Sequence, residues 1–264
     1  SWILEEIVKR GFVDAETVFI DATHIKASAN RKKRTKALAQ KTARSYDKQL
    51  RKEINEDREK NGKKPFRDKD DDGDGTGDAG EQREVIVSTT DPESGLFHKG
   101  EHKIEFAYTT HVACDKNNFI LGLEVTPGNV HDSLIFDQVY DQVVERFPEV
   151  DTVVVDAGYK TPWICKKIID DGRNPSMPYK RPMGKKGFFR SYEFVYDEYY
   201  NCVICPNNQV LPYVTTTREG YRQFKSDPNV CRSCPDLSCC TESRVHQKVV
   251  QKHIWEDYLE KAED

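Results

Sequence analysis

Two short apolar runs stand out along the chain, and each ends in an acid. Val18-Phe19-Ile20 leads into Asp21-Ala22-Thr23, and Thr152-Val153-Val154-Val155 leads into Asp156-Ala157-Gly158-Tyr159. Uninterrupted apolar runs of this length, bounded by turn residues, predict buried strands. Val85 to Thr90 is a further strand candidate with a β-branched bias, followed by the turn-forming Asp91-Pro92-Glu93-Ser94-Gly95. Ile104 to Cys114 and Phe119 to Thr126 predict two more strands, joined at hairpin length by Asp115-Lys116-Asn117-Asn118. The period changes from Asp132 to Phe147, where Val139, Val143, Val144 and Phe147 share one helical face and Asn129 or Asp132 is available as the cap. Thr161 to Asp171 predicts a short helix, with Pro162 suited to its first position and Gly172 to its end.

The remaining segments are less apolar. Trp2 to Lys9 reads as helix and Pro175 to Tyr179 as one more strand. Ala37 to Lys60, rich in Lys, Arg, Gln and Glu, predicts a mostly exposed helix, and Arg244 to Asp264 a closing polar helix. Gly62 to Gly80 is a polar Gly/Asp-rich linker. The order is strand, long insert, antiparallel strands, helix, strand, helix, strand. A mixed α/β sheet flanked by helices accommodates it. If the two apolar strands are neighbours in that sheet, Asp21 and Asp156 stand together at one edge.

Composition narrows the picture. The 264 residues are 36% hydrophobic and 33% charged, with mean hydropathy −0.78, whereas a typical globular domain has ~45–50% apolar and ~25% charged residues. A core forms, but part of the chain contributes little to it. No run of ~18 apolar residues is present, which argues against a membrane-spanning helix. No secretory leader opens the chain, so a cytoplasmic location is expected. The first residue is Ser1 and helix signals begin at Trp2, which reads as a piece of a longer protein.

The net charge of −4 is unevenly distributed. Lys26 to Arg67 holds sixteen Lys/Arg against five Asp/Glu, Asp68 to Glu84 eight acids against two bases, and Arg173 to Arg190 six bases and no acid. Basic segments in a globally acidic chain point to a polyanion partner or to solvated helix faces. Lys180, Arg181, Lys185 and Lys186 alternate with Tyr179, Phe188 and Phe189, a pattern that suits phosphate contacts and base stacking as well as a basic surface loop. Arg31-Lys32-Lys33-Arg34 follows the first acid as the other cluster follows the second, which suggests DNA crossing the acidic edge.

Two carboxylates converging at strand ends beside basic segments suit divalent-metal chemistry on phosphates, Mg²⁺ or Mn²⁺ bound by hard oxygen ligands. An Asp also ends strands simply because it favours turns. His131 and Asp132 stand just before the helix; Asp132 serves as its cap, or Asp132 or His131 lies near the metal edge and orients a ligand or phosphate. Of eight cysteines, six fall at Cys202, Cys205, Cys231, Cys234, Cys239 and Cys240. Two Cys-x-x-Cys pairs at this spacing predict a structural zinc site, the competing reading being unliganded reduced thiols. Asp70-x-Asp72-x-Asp74-Gly75-x5-Glu81 matches the calcium-loop expression formally, but a strand follows where a helix is needed, so an acidic linker is favoured.

Four segments in order, Ile20-Asp21-Ala22-Thr23, Ser88-Thr89-Thr90-Asp91-Pro92, Asn129-Val130-His131-Asp132-Ser133 and Val155-Asp156-Ala157-Gly158-Tyr159, resemble signatures of bacterial insertion-sequence transposases of the DDE class. The later cysteine pattern is similar to a Cys-rich insertion in one branch of them. The resemblance implies an RNase H-like fold, with Asp21 as the first catalytic acid and Asp156 as the second. Glu256 and Glu260 lack the expected surroundings for the third, which is expected beyond Asp264, leaving this stretch inactive alone. It also implies a zinc set of Cys205, Cys231, Cys234 and Cys240, with Cys202 and Cys239 as alternative fourth ligands. On this reading residues 1–17 are the remnant of a preceding helical segment, 18–191 the RNase H-like core with an insert at 26–84, 192–245 a zinc-ribbon-like insertion, and 246–264 the start of a C-terminal helical part. The expected partners are transposon-end and target DNA, with a homodimer in the full-length protein and no membrane. The alternatives are a non-catalytic zinc-stabilised nucleic-acid-binding protein and an RNase H-like nuclease.

Overall fold

The structure, a computed structural model, describes residues 2–40, 45–67, 82–99, 103–179 and 184–263. Two compact units emerge, one from Ser1–Ser45, Gly73–Tyr179 and Tyr258–Asp264, the other from Tyr46–Asp72 and Lys180–Asp257. The division differs from the expected one, since the segment after Tyr46 groups with the Cys-rich part. The calcium-loop match at Asp70 to Glu81 lies outside the described residues, as do Lys180 and Arg181.

The first unit opens with α1 (Trp2–Lys9) and is built on an eight-stranded mixed sheet. Its strands are β1 (Thr17–Lys26), β2 (Arg34–Gln40), β3 (Gln82–Ser88), β4 (Gly95–Lys99), β5 (Lys103–Asp115), β6 (Ile120–Pro127), β7 (Thr152–Val155) and β8 (Asn174–Ser176). β1 lies between β5, antiparallel, and β7, parallel, and β7 continues in parallel to β8. β6 pairs with β5 beyond β1, while β4, β3 and β2 extend the sheet as antiparallel strands. Helices α3 (Phe136–Arg146) and α4 (Pro162–Asp170) supply its helical layer, and α4 makes the crossover that a parallel β7–β8 pair requires.

Alternation along β1 sets the two faces. Val18 and Ile20 are buried with Val153 and Val155 against Phe136, Val139, Val143, Ile164 and Ile168, while Phe19 and Asp21 are exposed. The predicted apolar helix face is the one that packs, since Val139, Val143 and Phe147 are buried and Val144 lies against the same cluster. α4 begins and ends on its sequence signals. Thr161 Oγ1 accepts the Ile164 amide at 3.3 Å, Pro162 takes the first turn, and Gly172 turns the chain at φ 73°. At the β5–β6 hairpin Asp115 is more than a turn former. Its buried carboxylate accepts the amides of Asn117 (3.0 Å), Phe119 (2.8 Å) and Asp14 (2.9 Å).

The second unit contains α2 (Asp47–Lys60) and a five-stranded sheet in the order β13 (Val249–His253), β12 (Tyr221–Lys225), β11 (Val210–Thr216), β10 (Cys202–Ile204), β9 (Val195–Asp197). Two short helices, α5 (Pro228–Arg232) and α6 (Leu237–Cys240), carry cysteines, and α7 (Glu256–Lys261) closes the chain. Phe194, Val203, Leu211 and Phe224 form its core.

Three element expectations are corrected. The helix predicted over Ala37 to Lys60 is a strand to Gln40 and a helix from Asp47, because residues 34–40 pair with β3 along their whole length and distant pairing overrides local propensity. That helix is not mostly free of the core either. It buries Leu50, Ile54 and Asp57, whose carboxylate meets Arg222 at 2.7 Å and Thr216 Oγ1 at 2.5 Å. The closing helix from Arg244 is β13 plus the short α7, because Val249-Val250 completes the second sheet beside β12.

Gly95 on β4 faces the backbone of Gly128 and Asn129, where an added Cβ would stand 2.7 and 2.6 Å from their amide nitrogens. Gly95→Ala is expected to destabilise the chain by about 1–3 kcal/mol, the usual range for forced overpacking. An unchanged urea midpoint would contradict this close approach.

Candidate active site

The parallel ladder between β1 and β7 fixes the candidate site. Thr17 pairs with Thr152, Val18 with Val153, Phe19 with Val154 and Ile20 with Val155. Asp21 and Asp156 are the next residue on each side, and both are exposed. Adjacent strands lie ≈ 4.8 Å apart, so the register brings the two acids together at one end of the ladder. Asp21 Oδ1 accepts the Ala22 amide at 2.7 Å, and Asp156 Oδ1 accepts the Gly158 amide at 2.8 Å in a tight turn.

Beneath this edge is a buried polar cluster. His111 on β5 pairs across the ladder with Ala22 and is fully buried. Its Nε2 lies 3.0 Å from Thr126 Oγ1, and its Nδ1 lies 3.4 Å from the Tyr159 hydroxyl and 4.0 Å from Asp132 Oδ1. Burial holds the His111 pKa below its ordinary 6.5, with Asp132 opposing and His24 adding to the shift. Burial, then the charges of Asp132, Asp21 and Asp156, push the Tyr159 hydroxyl far above its usual range. Tyr159 thus feels all three carboxylates.

The capping expectation is corrected in one respect. His131, not Asn129 or Asp132, caps the turn at Asp132–Leu134, its Nδ1 accepting the Ser133 amide at 3.3 Å. The imidazole is one residue better placed than the Asp132 carboxylate, which faces His111 instead. Asp91 stands in a turn as expected, its carbonyl accepting the Ser94 amide at 3.3 Å, and its carboxylate accepts the Tyr108 hydroxyl at 2.7 Å.

Among the predicted DNA contacts, Arg31, Lys32, Lys33 and Arg34 are exposed, and the described residues contain no acid ion-paired with them. Asn30, Arg31, Lys32 and Arg34 line an open cavity of about 760 Å³. The loop is held to residues 88–90: Thr90 Oγ1 accepts the Asn30 amide at 3.1 Å, and the Thr89 amide donates to the Lys33 carbonyl at 3.0 Å. In the second unit Lys185 is paired with Glu242, Lys186 is exposed, and Phe189 packs against the core rather than standing free to stack. Glu256 accepts the His253 amide at 3.4 Å, and Glu260 lies further along α7.

The thiols divide into two groups. Burial raises the Cys240 pKa, Lys248 opposes the rise, and Cys231, Cys205 and Cys234 add to it; Cys205 and Cys240 pack on the same core. Cys202 is buried nearer Asp197, and Cys239 is exposed. Among the described residues no group of three or more His, Cys, Asp or Glu side chains is placed to hold a metal ion. The donors at Asp21 and Asp156 nonetheless fit a hard divalent cation in kind, being solvent-open carboxylates.

Sequence reasoning passed over His111 and Tyr159. The signal was present: a histidine inside the predicted strand Ile104 to Cys114, on the same parity as Ala107 and Ala113.

Residues 13–209, most of the chain, match the family model for the transposase DDE domain, and residues 204–264 match a second model of the same description. The chain belongs to the transposase DDE-domain family, and the mixed sheet is consistent with the RNase H-like fold of that domain. The family implies metal-dependent polynucleotidyl transfer on DNA with Mg²⁺ or Mn²⁺. No curated protein and no solved structure matches the chain. No described helix is long and apolar enough to cross a membrane.

The depressed His111 pKa has a definite sign. The unfolded chain takes up the proton first, so this residue's contribution to stability is present above pH 6.5 and lost as pH falls below it. Burial pushes His253 in the second unit down to about 4, so it acts in the same direction between pH 6.5 and 4. An imidazole NMR titration is expected to find both midpoints below pH 6.5, and a midpoint above that value for either ring would contradict its burial.

Proposed function

We propose that this chain carries the catalytic edge of a DDE transposase, with Asp21 and Asp156 as two of its metal-binding catalytic acids. The observation that carries the reading is the four-pair parallel register whose last pair, Ile20 with Val155, immediately precedes both residues. When bound, Mg²⁺ or Mn²⁺ supplies Lewis acidity for cutting a phosphodiester and for joining the freed 3′ end to target DNA. The chain's part is to hold the two carboxylates side by side. The Ala22 and Gly158 amides each fix one oxygen of their aspartate.

Arg31, Lys32, Lys33 and Arg34 are proposed to bind DNA phosphates, supported by their exposure and their lack of acidic partners among the described residues. Lys180, Arg181, Lys185 and Lys186 are proposed as a second binding segment, the weaker one because Lys185 already pairs with Glu242. His131 and Asp132 support the edge through the capped turn and the approach to His111. Cys205, Cys231, Cys234 and Cys240 are proposed as a structural zinc set, supported by their spacing and by the packing of Cys205 and Cys240 on one core. On the same reading, the full-length protein works as a homodimer on transposon ends and target DNA in the bacterial cytoplasm.

In the full-length transposase, Asp156→Asn is expected to abolish strand cleavage while leaving DNA binding intact, read by gel assays of nicking and mobility shift. Undiminished cleavage would end the catalytic assignment. Replacing Arg31 and Lys32 with Ala is expected to flatten the dependence of log affinity on log salt by ~1.8 for duplex DNA, at ~0.9 for each phosphate no longer neutralised. An unchanged slope would remove the loop from the interface. Elemental analysis is expected to find one zinc per chain, absent from Cys231→Ser; zinc-free protein with unchanged melting would leave the thiols unliganded.

A further inference from the structure

Asp156 lies one residue past the last ladder pair, so the sheet does not hold it directly. The bonds that shape its turn are local: Gly158 N to Oδ1 at 2.8 Å, and Tyr159 N to the Asp156 carbonyl at 3.2 Å. Neither bond reaches across to the strand that carries Asp21. The Tyr159 side chain links the turn to the rest of the sheet. It is 1% exposed, with its ring tilted at 60° to Phe136 at 6.2 Å, and its hydroxyl is 3.4 Å from His111 Nδ1. His111 in turn sits directly opposite Ala22, the residue after Asp21.

The pairing is chemically complete. With its proton on Nε2, the His111 ring donates to Thr126 Oγ1, and its bare Nδ1 accepts from the Tyr159 hydroxyl. If packing alone were needed, Phe and an aliphatic residue would fill the same space without the cost of burying polar groups. The polar pair links the turn after β7, which carries Asp156, to β5 at the residue paired with Ala22.

We infer that Tyr159 and His111 are positioning residues whose buried hydrogen bond sets the separation of the Asp21 and Asp156 carboxylates for a divalent cation. This rests on the reading of those acids as the metal site. Outer partners of metal ligands typically change affinity by 10–100-fold when removed.

The test is a Mn²⁺ titration of the whole chain, with free ion followed by electron paramagnetic resonance. Asp156→Asn, Tyr159→Phe and Phe136→Leu are compared, with each fold checked by circular dichroism. Tyr159→Phe keeps the ring and removes only the hydroxyl; Phe136→Leu disturbs the packing around that ring and spares the hydrogen bond. Binding about tenfold weaker in Tyr159→Phe, with Phe136→Leu unchanged, is the expected result. Weaker binding in Asp156→Asn with undiminished binding in Tyr159→Phe would overturn the positioning role and leave the metal site standing. Equal weakening in Phe136→Leu would also overturn it, by showing that packing alone matters. Full-strength binding in Asp156→Asn would overturn the metal site, and the inference with it. Should Tyr159→Phe fail to fold, His111→Gln breaks the same bond from the other side and is read by the same outcomes.

Discussion

The parallel pairing of β1 with β7 is the constraint on which the rest depends. Parallel strands cannot be joined by a tight turn, so contact between residues 17–20 and 152–155 must be closed across more than a hundred intervening residues. Buried alternation secures it. Val18, Ile20, Val153 and Val155 all turn to the helical face, and a slip of one residue would expose the buried pair on one strand or the other. The same alternation leaves Asp21 in solvent. The position of the first acid therefore follows from the packing of its neighbours.

Asp156 obeys a different rule. Its strand is only four residues long and stops at Val155, so the acid depends on a turn. That turn is anchored below by Tyr159 and through it by His111, a buried polar pair beside the apolar core. The two acids are thus held by unlike means, one by the ladder and one by a buried side chain.

Much of this was legible in the sequence, for physical reasons that can be named. The two apolar strands, the β5–β6 hairpin, and α4 with its Thr161, Pro162 and Gly172 signals are local patterns, and local patterns survive folding when tertiary contacts agree with them. The Lys- and Arg-rich segment after Ala37 failed because its strand is made by β3, which lies beyond the long insert. The closing helix failed for a similar reason at β13. Among the site residues, the acids were visible as the ends of two apolar runs; β7 does stop before Asp156, whereas β1 continues past Asp21 to Lys26. His111 was hidden because a single histidine in a strand announces no partner; Asp132 was legible as cap or support, but its approach to that histidine arises only when β5 and the turn before α3 meet. The thiols announced their spacing, but not which of them would converge.

The central claim is that Asp21 and Asp156 form one cation site. Paramagnetic broadening by Mn²⁺ reads this most directly, through backbone amide resonances of the isotopically labelled chain. The account predicts that signals of Asp21 and Asp156 fade together at the lowest Mn²⁺ concentrations. Loss of one with persistence of the other, or earlier loss elsewhere in the chain, would contradict it.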